Sequence, residues 1–145
     1  MDIFWGVLLI IFTLLLCWLG QAITTFGPKL AVKLQLVEAE SDVDPVYYID
    51  VRGEAKWDIL ILWVLPVAGI LLLLDNTAWA YFGLIGGGSY LYFAGRGVVV
   101  RLLMRRRGIH IGTPGNIRLF YAVLTIWAII AVITIIMAVN DLPLT

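Results

Sequence analysis

The stretch ILILWVLPVAGILLLLDNTAWAYFGLIGGGSYLYFAG, residues 59–95, decides how the chain folds. It holds a single charged residue, Asp75, which divides it into the apolar runs 59–74 and 76–95. A bilayer core of about 30 Å takes roughly 20 apolar residues of helix. Two such runs joined by Asp75-Asn76-Thr77 therefore read as a tight antiparallel helical hairpin. The first run is short and carries Pro66, which removes one backbone hydrogen bond and predicts a kink. Trp57 before it and Trp79 and Tyr81 after the turn suit the two membrane interfaces, with Asp58 and Asp75 at the headgroups.

Working outward, the same division at charged residues gives two more apolar runs, 3–28 and 119–140. The first has no positive leader and a long apolar stretch, so it reads as a retained span. The expected fold is an all-α integral membrane protein, one domain over residues 1–145. Its four transmembrane helices cover about residues 3–26, 58–75, 77–100 and 117–140, with connections at 27–57 and 101–116. Composition agrees: 62% of the residues are hydrophobic and 14% charged, and mean hydropathy is +1.00. A soluble domain is nearer 45–50% apolar and about 25% charged. A soluble globule and a disordered chain are both excluded. So is a disulfide scaffold, since Cys17 is the only cysteine.

The formal net charge is zero, with ten basic and ten acidic residues. Lys29, Lys33, Arg52 and Lys56 lie in the first connection; Arg96, Arg101, Arg105, Arg106, Arg107 and Arg118 lie at or between the third and fourth runs. The opposite side carries only Asp2, Asp75 and Asp141. Four spans put all the basic residues on one face, which the positive-inside rule makes cytoplasmic. The expected location is a bacterial-type inner membrane with both termini periplasmic.

Within the first connection, Leu30, Val32, Leu34 and Leu36 alternate with other residues, and Val46-Tyr47-Tyr48-Ile49-Asp50-Val51 is rich in strand formers. Together they predict a small cytoplasmic β-hairpin, or failing that a loop, between the first two spans. Its unpaired edges would offer a docking site. The acids Glu38, Glu40, Asp42 and Asp44 read as a solvated turn between the strands, lacking the spacing of a calcium loop. In the second connection the third helix should run on to Arg107 and stop at Gly108. Thr113-Pro114 should cap and open the fourth helix.

Few residues suggest chemistry. Cys17 and His110 stand alone, no catalytic set can be assembled, and no metal or cofactor is expected. Nor is nucleic acid, because the basic residues are matched by acids and sit at the headgroups. No ionisable residue falls in the middle of any apolar run, which argues against a charge-coupled pump. Gly83 and Gly87 form a GxxxG pair that Gly95 extends, a small-residue face for helix packing or for contact with another subunit. Gly86, Gly88, Ser89, Tyr90 and Tyr92 are candidates to line a pathway. A bend at Gly86-Gly87-Gly88 fits the same stretch. Arg101, Arg105, Arg106, Arg107 and Arg118 are candidates to hold anionic lipid or an acidic partner.

These features favour a non-catalytic accessory, assembly or scaffold subunit of an inner-membrane complex. Its partners would be membrane lipids and other subunits or a second copy. A homo-oligomeric channel or carrier for a small neutral solute is the rival. A lipid-handling enzyme that works through the arginine loop comes third.

Overall fold

The structure, a computed structural model, describes residues 2–142, with side chains from Ile3 onward. The expected placement of the two chain ends (residue 1, residues 143–145 and the side chain of Asp2) lies outside the described residues. The helices are α1 (Asp2–Leu9), α2 (Leu19–Phe26), α3 (Pro28–Lys33), α4 (Pro45–Ile61), α5 (Val64–Leu73), α6 (Trp79–Arg106) and α7 (Pro114–Asp141). A π-helical segment, Ile10–Trp18, joins α1 to α2 in one rod, and a 3-10 turn spans Glu40–Asp42.

Local chemistry explains most boundaries. Pro66 cannot donate to the carbonyl of Leu62, and the chain breaks at Leu62-Trp63 between α4 and α5, which is the expected kink. Asp75 turns the chain at φ 51°, and Asn76 Oδ1 accepts the Ala78 amide at 2.9 Å. This is the expected tight turn. Arg107 and Gly108 end α6, the glycine at φ +76°. Thr113 caps α7 with Pro114 at its first position. The helix α6 continues without interruption through Gly86-Gly87-Gly88.

The expected β-hairpin does not exist, and no strand occurs among the described residues. Leu30 and Val32 lie in α3, and Val46–Val51 opens α4. The reason lies just upstream: Asp44 Oδ1 accepts the Val46 amide at 2.8 Å, and Pro45 fills the first helical position. A helix start of this kind overrides the strand preference of Val, Tyr and Ile. The first connection instead folds onto the second. Asp44 N donates to His110 O at 2.8 Å, and Asn116 Nδ2 donates to Glu38 Oε1 at 2.7 Å. Val43, Tyr47 and Ile111 form a small apolar core of their own beneath these bonds.

Three helices, Ile3–Phe26, Pro45–Leu73 and Pro114–Asp141, are long and apolar enough to cross a membrane. The fourth long helix, α6, is of comparable length, but its glycines, tyrosines and arginines dilute its hydrophobicity. Outward stripes such as Phe4, Val7, Ile11 and Leu15, or Ile126, Ile129, Ile133 and Ile136, are exposed along successive turns. So much ordered apolar surface fits a lipid environment, as in an all-α integral membrane protein.

The helix α6 packs between α5 and α7, α5 against α1, and α2 against α4. Glycines set these distances. A Cβ on Gly83 would meet Ala138 at 3.2 Å, one on Gly87 would meet Ile135 at 2.6 Å, and one on Gly86 would meet Leu65 at 2.7 Å. The GxxxG face is therefore filled by the chain's own α7. Gly95 does not extend it, because nothing lies within 4 Å of its Cβ position. At about 100° per residue, twelve residues carry Gly95 some 120° off the stripe, whereas Ala94 and Gly97 return to it. Trp79 is interior, packed beside Gly83.

Gly87→Leu forces a side chain into Ile135 and should cost about 1–3 kcal/mol in thermal unfolding in detergent. Gly88→Leu, facing open space, should not lower the midpoint. Equal losses in both variants would contradict this packing.

Candidate functional site

Charged side chains gather where α4 meets α6. Asp50, Glu54 and Asp58 recur every four residues along α4 and so share one face. Arg96 and Arg101 come from α6. Arg96 Nη2 lies 2.6 Å from Asp50 Oδ1, and its Nη1 lies 2.8 Å from Glu54 Oε1. Arg101 Nη2 stands 3.8 Å from Glu54 Oε2, an ion pair too long for a hydrogen bond. Arg101 Nη1 donates to the Gly97 carbonyl at 3.0 Å. The guanidinium carbon sits 5.8 Å from the Tyr47 ring centre and 5.7 Å from that of Phe120. Two aromatic faces thus share the charge with one carboxylate.

Asp58 is buried, at 3% exposure, and its Oδ2 has no partner in the structure. Asp58, read from the sequence as the charged end of an apolar run, is packed inside the bundle rather than left exposed. Dividing a sequence at its charges puts them at helix ends. Here α4 runs straight through them and turns the three acids inward.

Beside this cluster lies a cavity of about 320 Å³, within the range of small-molecule pockets. Its apolar half is built by Phe12 and Leu16 of the π segment, Phe93 of α6, and Val123, Ile126 and Trp127 of α7. Its polar half lies nearer the basic connections and includes Gln21, Thr24, Arg52, Glu54 and Arg101. Leu16, Leu119 and Ile126 line the cavity and are also exposed on the outside, at 55, 56 and 45%. The cavity therefore opens sideways between the first rod and α7. Gly20 also lines the cavity, and nothing lies within 4 Å of its Cβ position.

Aromatic donors fix the frame around the cavity. The Tyr90 hydroxyl donates to the Thr13 carbonyl at 3.0 Å and Trp127 Nε1 to the Phe12 carbonyl at 3.1 Å. Both acceptors are consecutive carbonyls of the π segment. Trp5 Nε1 donates to Thr134 Oγ1 at 3.2 Å, and Trp18 Nε1 to the Ile59 carbonyl at 3.0 Å. Arg52 reaches the carbonyls of Thr24 and Thr25, tying α4 to the C-terminus of α2.

The expected site residues separate. Arg101 is buried in the cluster, whereas Arg105, Arg106, Arg107 and Arg118 are exposed on the surface. The proposed pathway residues face different ways. Gly86 packs on Leu65, Gly88 is open, Ser89 bonds its own helix at Ile85, Tyr90 is sealed inside, and Tyr92 is 62% exposed. Sequence reading overlooked Glu54, Asp58, Arg52, Tyr47 and Trp127. The spacing Asp50-x3-Glu54-x3-Asp58 was the available signal. No protein-family model matches the chain, and neither does a curated protein or a solved structure.

Arg96→Gln should destabilise by about 2 kcal/mol, less than for a fully buried pair because the arginine is 30% exposed. In a double-mutant cycle with Asp50→Asn the losses should fail to add, by about 0.5–1 kcal/mol. Strict additivity would mean that this ion pair does not form.

Proposed function

We propose that the protein is a four-span membrane protein that binds an amphiphile drawn sideways from the bilayer into this cavity. One observation carries the reading: the cavity is lined by apolar side chains at Phe12, Leu16, Phe93 and Val123 and gains polar ones toward the basic connections, at Gln21, Thr24 and Arg101. A lipid-like molecule fits such a gradient, with its tail left in the bilayer and its head against Gln21, Thr24 and Arg101. A water-filled path for a small solute would need polar groups along its whole length. The reading takes up lipid handling, but places it in the cavity rather than on the exposed arginines. It assigns no reaction.

An accessory-subunit role loses two of its supports, because the glycine face is occupied by α7 and the docking strand edge is absent. The outward apolar stripes still leave room for a partner in the membrane. As part of the proposal α6 is the third of four spans, and the basic ends of α4, α6 and α7 are cytoplasmic. An inner membrane and periplasmic termini follow from the same asymmetry.

Two experiments test this. With Cys17 replaced by alanine, Asp75→Cys and Arg107→Cys should be labelled by impermeant maleimide from opposite sides of oriented vesicles. Labelling of both from one side would remove the four-span arrangement. Purified wild-type protein should carry an amphiphile detectable by native mass spectrometry, and Val123→Trp, which fills the cavity, should carry much less. Equal retention by the two proteins would argue that any bound lipid sits elsewhere.

A further inference from the structure

We infer that the cavity takes an amphiphile with an anionic head, a carboxylate or a phosphate, received by the two arginines on its wall; this rests on the cavity binding an amphiphile at all. Four charged residues line it: Glu38, Arg52, Glu54 and Arg101. The two acids already have strong donors. Glu54 Oε1 accepts from Arg96 Nη1 at 2.8 Å, and Glu38 Oε1 accepts from Asn116 Nδ2 at 2.7 Å. The two cations are met at hydrogen-bond distance only by neutral oxygens. Arg52 donates to the Thr24 and Thr25 carbonyls, and Arg101 Nη1 to the Gly97 carbonyl. Among the described residues Arg52 makes no ion pair, and the nearest carboxylate oxygen to Arg101 is 3.8 Å away.

Arg101 also has donors to spare. It is buried, at 9% exposure, and its Nε has no hydrogen-bond partner. Its Nη2 makes no hydrogen bond either. Nε and Nη2 form one planar edge of the guanidinium, a fork that the two oxygens of a carboxylate or phosphate match. The Tyr47 and Phe120 rings beside it attract the cation but offer those N–H groups no acceptor in their plane. A buried donor left unmet and a buried charge without a hydrogen-bonded counter-ion both carry a desolvation cost, and an anionic oxygen relieves both. A neutral ester relieves only the first, and an ammonium head adds a third cation to the wall. A free anion would leave the apolar wall at Phe12, Leu16, Phe93 and Val123 unused, whereas the tail of an amphiphile covers it.

The test uses three photoactivatable probes with the same diazirine-bearing C18 chain and different heads: a phosphate monoester, a glyceryl ester and a trimethylammonium. Each is added to the full chain in phosphatidylcholine nanodiscs, and cross-links are mapped by mass spectrometry. The phosphate probe should label the cavity residues Gly20, Val123 and Trp127 about tenfold more than either other probe. Equal labelling by the ester would overturn the anionic head while leaving the cavity a lipid site. Arg101→Gln should lower the preference for the phosphate probe severalfold, and so should Arg52→Gln, which keeps a donor for the Thr24 carbonyl. An undiminished preference in either folded variant would overturn that arginine's part. Replacing the exposed Arg105, Arg106 and Arg107 by glutamine should preserve the preference; its loss there would move the anion site to the surface. Excess inorganic phosphate at constant ionic strength should not displace the probe, and displacement would overturn the amphiphile in favour of a soluble anion. If no probe labels the cavity above the outward residues Ile3 and Phe4, the binding cavity itself is refuted.

Discussion

A guanidinium enclosed in a helical bundle has to be met by carboxylates, carbonyls or aromatic faces, because the bare charge costs several kcal/mol to bury. Arg101 imposes this condition on the chain. To meet it, α4 must be helical from Pro45 onward, so that Glu54 points at α6 and Tyr47 covers one face of the guanidinium. From α7, Phe120 brings its ring to 5.7 Å from the guanidinium carbon. The first connection then cannot stand apart as a hairpin. It is drawn under the bundle, where Asp44 and Glu38 bond the second connection. One buried charge thereby ties three helices and both basic connections into a single unit.

The π segment answers a different constraint. A helix of this kind carries a wider turn and is seldom kept without a use. Here it offers the carbonyls of Phe12 and Thr13 to Trp127 and Tyr90, from two other helices. Such bonds are worth about 0.6 kcal/mol each in a membrane, so their value lies more in position than in strength. They hold the first rod to α6 and α7 beside the cavity, which Phe12 and Trp127 both line. Gly6 and Gly69 bring α1 and α5 together at the other end, where a Cβ on Gly69 would come within 3.0 Å of the Gly6 carbonyl.

How much of this was legible follows from what each signal measures. Apolar runs report burial in lipid or protein, and they placed the first rod, α5 and α7 well. Caps report local backbone chemistry, and Thr113-Pro114 and Gly108 were read correctly. Asp44-Pro45 is the same kind of signal as Thr113-Pro114, but the β-branched and aromatic residues after it drew the reading to a strand. Once α4 is taken as a helix, the acids at 50, 54 and 58 align and the charged cluster becomes predictable. The π segment has no such signature: IIFTLLLCW reads as ordinary apolar helix. Its wider turn is defined by contacts from Tyr90 and Trp127, which are distant in sequence.

The same logic separates the two kinds of arginine. Six arginines lie from Arg96 to Arg118, and composition treats them alike. Helical phase does not. Arg101 lies four residues beyond Gly97 on the face of α6 that packs inward, and Gly97 leaves room for the side chain to fold back onto its carbonyl. Arg105, one turn further, has passed the last packed layer and meets solvent. A charge asymmetry that orients a membrane protein needs only exposed residues near the headgroups, and Arg105, Arg106, Arg107 and Arg118 suffice for that. Arg101 is superfluous for orientation and carries a desolvation cost. Its place is set by Tyr47, Phe120 and Glu54 around it, beside the cavity, rather than by the topology it signals.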